Sequence, residues 1–368
     1  MTTHRPLAIA LIGAGRMGSF HAETLAHRLP GVRLAAVADP APGAARGLAD
    51  RLGCPTAYTE IGELLADPAA DAVVIATPAR THAGLVEAAA RAGKAVYCEK
   101  PMAVTLAEAD RALAAAAETG TALQVGFNRR YDTGFRAAHE KIIAGAIGTP
   151  QLLRSLTRDP KLADPARIPP WTIFLETLIH DFDTLRHLNP GAEPVEVFAW
   201  ADALIRPDFK DRGLLDTAVV TIRFDNGALA TAEASFQAVY GYDVRGEVLG
   251  SAGMLTMGDL RRTHLTAHGP DGVAAECVTY DQDLFHDAYV AELADFADSV
   301  RTARTPSVTG EDARAALTIA LAAIRSVEKG QPVRIAEIED HADADVEGQT
   351  DLSGGGVAEM SNSSLLSR

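Results

Sequence analysis

Residues 13–18 read Gly-Ala-Gly-Arg-Met-Gly, and they close a run of small apolar residues, Leu7–Ile12. A short continuous apolar run predicts a strand buried on both faces. The segment after it, Ser19 to Leu29, carries apolar residues at helical spacing. A strand, a glycine turn and a helix in that order leave few folds open. Gly13 permits the tight turn, Gly15 lets backbone approach a pyrophosphate, and Gly18 lets the helix pack on the strand. Arg16 and Met17 lie inside the same loop. The helix start offers free N–H groups and a partial positive charge to phosphates. A second strand, Arg33–Ala38, ends at Asp39. That is the distance at which a carboxylate meets the ribose hydroxyls of a dinucleotide. No arginine directly follows Asp39, the nearest downstream being Arg46, which favours NAD over NADP while leaving some use of NADP open.

The alternation continues. Strand-like runs at Ala72–Ala76, Ala95–Cys98 and Ala122–Val125 are separated by helical-period segments at Ala44–Leu52, Ile61–Ala66, Ala83–Ala92 and Leu106–Glu118. Such a pattern predicts a parallel sheet covered on both faces, so residues 1–126 are expected to form a doubly wound α/β Rossmann domain. A helix at Gly134–Ala144 leads onward. Beyond Gly148-Thr149-Pro150 the strands lengthen and alternate: Val195–Ala203, Asp216–Phe224, Ala228–Phe236, Val244–Gly250 and Gly253–Met257, with Asp225-Asn226-Gly227 as a hairpin signal. Thr263–Ala267 and Ala274–Tyr280 are further strand candidates, and Thr172–Leu188, Asp287–Thr302 and Gly310–Lys329 read as helices. Residues 127–336 are therefore expected to form an α+β domain with a large, open, mainly antiparallel sheet. Apolar residues on both faces of its strands predict a homodimer or homotetramer through the outer face.

The 368-residue length suits two domains. Net charge is −15, of which residues 337–368 hold −7. That acidic, Ser/Gly-rich stretch is expected to be a disordered tail, dispensable beyond Ile338. An acidic surface argues against nucleic acid and anionic membranes as partners. No apolar run approaches the ~20 residues of a membrane-spanning helix. The first strand starts too early to leave room for a signal peptide. Cys54, Cys98 and Cys277 lack metal-ligand spacing and cannot build a disulfide framework. A cytoplasmic protein without a metal is expected.

Two places carry chemistry. Cys98-Glu99-Lys100-Pro101 follows the strand Ala95–Cys98. Ligands of open α/β sheets bind beyond the carboxyl ends of the strands, so Lys100 is expected at the crevice. On the helix Thr172–Leu188, Glu176 and His180 are four residues apart and share a face. A carboxylate there orients an imidazole and raises its pKa, making it able to take a proton from a hydroxyl. By spacing alone the same two residues also read as a surface ion pair.

Gly13–Gly18, Glu99-Lys100-Pro101 and Ile179-His180-Asp181-Phe182-Asp183 together resemble the Gfo/Idh/MocA family of NAD(P)-dependent sugar and polyol oxidoreductases. Ala76-Thr77-Pro78 with His82, Gly126–Asp132, and Tyr240-Gly241-Tyr242-Asp243 fit it too, the last resembling the inositol 2-dehydrogenase branch. The resemblance implies Lys100 and His180 as the active-site pair and Glu176 in the place of an acidic partner. It implies Thr77, Pro78, His82 and Glu99 beside the cofactor. Arg129, Thr157, Arg158, Trp171, Tyr240 and Tyr242 are implied for the substrate wall. The chain departs from the family in three places. Glu176 replaces an aspartate, Pro170-Trp171-Thr172-Ile173 replaces a glycine pair, and Thr157 stands where inositol enzymes place a histidine. The implied reaction is reversible oxidation of a secondary alcohol on a cyclic polyol or sugar. An NAD-dependent glycosidase and a non-catalytic NAD-binding sensor share the scaffold and stay open.

Overall fold

The computed structural model describes residues 5–263 and 265–340. Its first part runs β1 (Leu7–Ile12), α1 (Arg16–His27), β2 (Val32–Ala38), α2 (Ala44–Leu52), β3 (Ala57–Tyr58), α3 (Ile61–Ala66), β4 (Ala72–Ile75), α4 (His82–Arg91), β5 (Ala95–Cys98), α5 (Leu106–Thr119) and β6 (Leu123–Val125). The six strands pair in parallel in the order β3-β2-β1-β4-β5-β6. Strand order reverses between β1 and β4, which opens a crevice at their carboxyl ends. The Gly13 loop, Thr77 and Lys100 leave β1, β4 and β5 at that edge.

The second part runs α6 (Thr133–Ile143), β7 (Pro150–Arg158), a π-helical turn (Ile173–Leu178), α7 (Ile179–His187), β8 (Pro194–Asp202), β9 (Thr217–Phe224), β10 (Leu229–Ser235), β11 (Asp243–Gly250), β12 (Gly253–Met257), β13 (Ala267–Gly269), β14 (Gly272–Ala274), α8 (Asp281–Leu284), α9 (His286–Thr302), α10 (Gly310–Lys329) and β15 (Val333–Arg334). Seven strands form one sheet in the order β12-β11-β7-β10-β9-β8-β15. Only β7 and β10 run parallel within it. Alternation is strict where it was expected. In β9, Ala218, Val220, Ile222 and Phe224 are buried while Val219, Thr221 and Arg223 face out. The buried face lies under α7 and α10. α10 begins with a capping box, Thr309 with Asp312, and ends at left-handed Gly330.

Three expectations are corrected. Among the described residues the strands expected at Thr263–Ala267 and Ala274–Tyr280 are replaced by the short hairpin β13–β14, which meets them only at Ala267 and Ala274. Its residues are exposed, so no packed face enforces a longer ladder. The helix expected over Thr172–Leu188 is two pieces, π-helical then α. Order also runs past residue 336: residues 335–340 are helical and Ile338 is buried. The rest of the expected tail lies outside the described residues.

The parts interlock. α9 lays Leu293, Phe296 and Ala297 against Ile9, Leu11, Val37 and Tyr97 of the parallel sheet. Burying a Leu or Phe side chain is worth roughly 1.5–3 kcal/mol. The Arg16–Asp281 ion pair crosses the same seam, but Arg16 is 62% exposed. Exposed pairs are worth about 0–1 kcal/mol. Apolar packing therefore holds α9 on the first domain, and the ion pair sets detail.

Candidate active site

The glycine loop is shaped for close approach. Gly13 has φ +101°, and a Cβ there would stand 2.4 Å from the Ala76 carbonyl oxygen. A Cβ on Gly18 would meet the Gly13 carbonyl oxygen at 1.8 Å, so α1 touches the turn itself. Around Gly15 the space is open, with nothing within 4 Å of a Cβ. No side chain caps α1 at Gly15, so its first N–H groups face that space. Asp39 is fixed at its rim. One carboxylate oxygen accepts from Ala14 N at 2.7 Å and the other from Ala41 N at 2.8 Å. Carboxylate lone pairs remain for a ribose diol. Arg46 is turned away, its guanidinium on Asp50 and the Pro55 carbonyl. An open cradle, an uncapped helix and an acid at its edge fit a dinucleotide.

Other loop residues serve the protein itself. Buried His82 places one ring nitrogen 2.7 Å from the Pro101 carbonyl and the other 2.7 Å from the Thr77 carbonyl. Both nitrogens are spent on backbone, so His82 shapes the loops instead of offering a side-chain group to the cofactor. Thr77 Oγ1 pairs with Thr81. Pro78 precedes a short 3₁₀ turn and is exposed. Arg16 forks onto Asp281, and Met17 Sδ accepts from Gln282, so both contact the second domain.

Lys100 and His180 reach the crevice from opposite sides. Lys100 follows β5, across a cis bond to Pro101. Its Nζ donates to the main-chain oxygen of Glu176 at 2.9 Å. His180 opens α7 and rests edge-on against Phe127. Its Nδ1 is buried and has no hydrogen-bond partner among the described residues. Burial, then the charges of Lys100 and Arg129, hold the imidazole well below its ordinary pKa. This corrects the expectation that Glu176 raises it. Glu176 is not among the groups acting on His180, and it meets Lys100 through its main chain. Glu176 lies in the π-helical turn Ile173–Leu178, and His180 in α7 beyond it.

Beneath His180 lies a buried polar net. Arg129 donates to Asp181 at 2.8 Å and to Thr157 Oγ1 at 2.5 Å. Thr157 and Ser155 donate to the same carboxylate. Arg129 and Thr157 are each 2% exposed, so they anchor Asp181 instead of standing free as a substrate wall. Arg158 and Tyr240 sit in an outer ion cluster with Glu233 and Asp243. Tyr242 is on the cleft side, edge-on to Phe285, and burial followed by Asp159 pushes its hydroxyl up. Trp171, at φ +63°, packs toward Phe174.

Two acids were not expected here. Burial pushes Asp159 up to about 6, Asp281 adds to the rise, and Lys100, Arg129 and Arg16 oppose it. Asp159 thus shares a field with Lys100, while Asp281 reaches it from far along the chain. Asp159 stood in view beside Thr157 and Arg158, but only the fold brings it to Lys100. Nothing local marks Asp281.

Residues 7–127 match a family model described as an oxidoreductase family with an NAD-binding Rossmann fold, and residues 135–256 match the GFO/IDH/MocA C-terminal domain. The chain belongs to the Gfo/Idh/MocA family. Among its Gfo/Idh/MocA relatives is scyllo-inositol 2-dehydrogenase (NAD(+)) of Bacillus subtilis, 39% identical over 89% of this chain and 95% of that protein. Myo-inositol 2-dehydrogenase of Thermotoga maritima is 37% identical over 90% and 99%. The crystal structure of scyllo-inositol dehydrogenase from Lactobacillus casei, with NAD(H) and scyllo-inositol bound, superposes with a TM-score of 0.86 at 26% identity over 90% of this chain and 99% of that one. This chain is an NAD-binding oxidoreductase of that fold, and no helix among its described residues is long and apolar enough to cross a membrane.

Proposed function

We propose that this protein oxidises a secondary hydroxyl of a cyclic polyol or sugar, with Lys100 and His180 as the chemical pair. The observation that carries the reading is their delivery from opposite domains into one field, close enough for the lysine charge to act on the imidazole. The inositol dehydrogenases among the relatives support the substrate class. NAD, held by the Gly13–Gly18 loop and Asp39, supplies the hydride acceptor. His180 is neutral at working pH and takes the hydroxyl proton. Lys100 Nζ, which rests on the Glu176 carbonyl, turns to the substrate oxygen and steadies its developing charge. The Glu176 carboxylate is left to meet a neighbouring hydroxyl. Trp171 and Tyr242 flank the pocket.

Three finer statements belong to the same reading. NAD is preferred over NADP, because Asp39 is fixed and Arg46 is turned away from a 2′-phosphate. The protein works in a reducing cytoplasm, in keeping with three free cysteines. It assembles as a homodimer or homotetramer through the outer sheet face. The deciding experiment is a panel of inositols, pyranoses and anhydrosugars assayed for NADH at alkaline pH. A protein that binds NAD but yields NADH with none of them sinks the proposal; release of an aglycone without net NADH redirects it to a glycosidase.

A further inference from the structure

Below Lys100 lies a polar cluster that the reaction above does not use. His21 of α1 is fully buried, with Nε2 2.6 Å from Glu99 Oε1. Glu292 of α9 is fully buried too, and accepts from the Tyr97 hydroxyl at 2.6 Å. His21, Glu99 and Glu292 each place a ligand-capable atom within 4.8 Å of the other two. The His21 ring is edge-on to Phe20, Tyr97 and Tyr289, which leaves it little room to turn. Two buried atoms of the cluster have no partner among the described residues: His21 Nδ1 and Glu292 Oε2.

An imidazole that donates to Glu99 through Nε2 offers Nδ1 as an acceptor. A protonated carboxyl offers one O–H to give. A proton on Glu292 leaves Glu99 as the only buried anion of the pair. We infer that His21 is a positioning residue for Lys100: through Glu99 it fixes the loop that carries the lysine, and Glu292 closes the same network from α9. The inference rests on the dehydrogenase reading for its consequence in turnover, though not for the network itself.

The electrostatics agree. Burial and then the Glu99 charge push Glu292 well up. Glu99 is raised by burial, but His21, Lys100 and His82 together hold it below its ordinary value. The groups facing this pair are His21 and Arg16 from the glycine-loop side, His82 of α4, Tyr97 and Lys100 at β5, Tyr131 after β6, and Tyr289 of α9. Glu99 cannot shift without moving its neighbour in sequence, Lys100. Misplacing a reacting group by about 1 Å costs roughly 10²-fold in rate.

The test compares His21→Gln with His21→Asn. Glutamine carries its amide nitrogen at the reach of Nε2 and keeps the bond to Glu99. Asparagine reaches only as far as Nδ1 and loses it. His21→Asn should lower kcat about 10- to 100-fold. It should also move the acid limb of the kcat profile up by about one pH unit or more, because Glu99 is left buried without its partner. NAD affinity should stay within a few-fold, and His21→Gln should recover most of the loss. Equal losses in both variants with an unmoved acid limb would mean packing alone, and overturn the inference. If neither variant folds, Glu99→Ala, which removes the hydrogen bond, should lower kcat by the same 10- to 100-fold; wild-type turnover there overturns it equally. Glu292→Gln tests the network without any substrate. A carboxyl raised in the fold contributes stability that is lost as pH climbs from its unfolded value toward its folded one. The variant should flatten the alkaline decline of Tm, and an unchanged decline refutes the protonated Glu292. Stoichiometric metal in the purified protein would assign the cluster to a cation and also refute it.

Discussion

At His180, burial and neighbouring charge act in one direction: both favour the neutral ring. Removing the lysine charge should therefore let the ring protonate more readily. In Lys100→Met the His180 pKa should rise, read from its ring resonances across pH, while kcat falls by about 10²–10⁴-fold and NAD affinity changes little. His180→Ala should lose turnover on the same scale; near wild-type turnover at neutral pH would send the search to another base. Glu176→Gln should leave the His180 titration in place, since the carboxylate does not act on the ring, and change KM in a substrate-dependent way. Asp159 titrates near 6 in the same field. If an acid limb of kcat/KM lies there, Asp159→Asn should remove it, and survival of the limb would assign it elsewhere. Lys100 and His180 could be singled out in the sequence because each stands in a motif at an element end. Asp159 could not, because its pKa comes from burial and from Asp281, 122 positions onward in the chain.

Elements fold where the sequence repeats a period, and here the period was informative nearly throughout. β1 shows five buried residues in its last five positions, and β9 alternates without a break, so tertiary packing and pattern agree. The pattern was silent at the π-helical turn. Ile173–Leu178 contains no Gly or Pro to announce a change of helix type, and the preceding Trp171 takes a positive φ that tryptophan rarely adopts. Glu176 sits in that turn and meets Lys100 through its main chain, so the least readable element carries a fine detail of the site. The glycine loop makes the opposite case and supports a sharp comparison. Gly18→Ala drives a Cβ into the Gly13 carbonyl and should lower both Tm and NAD affinity. Gly15→Ala meets open space and should keep the wild-type Tm while weakening NAD binding. Equal Tm losses in the two variants would show that Gly15 is needed by the fold instead of by the ligand.

For the whole molecule, the seven-stranded sheet poses the remaining question. One face is sealed by α7 and α10; among the described residues the other is bare. On the bare face Leu152 is 51% exposed, Leu229 50% and Trp200 67%, with Val219 and Leu249 beside them. A shallow concavity on this side is lined by Leu152, Phe198, Thr221 and Leu229, and neither Lys100 nor His180 borders it. Arg154, Arg223, Glu196 and Glu247 are interspersed on the same surface, so it carries both signs of charge. A second copy of the sheet offers the same mixture in reverse and can bury the leucines while pairing the charges, as a two-fold interface requires. The competing arrangement is a monomer with one wet face, which antiparallel sheets tolerate. Sedimentation at micromolar concentration separates the two, with a dimer or tetramer expected for the native chain. Leu152→Asp combined with Leu229→Asp should shift it to monomer, because carboxylates placed at the centre of an interface lose hydration without gaining partners. NAD affinity should persist in the monomer, since the glycine loop and Asp39 belong to the other domain. A native chain that sediments as a monomer at every concentration would leave the bare face to solvent and remove the oligomer from the proposed function.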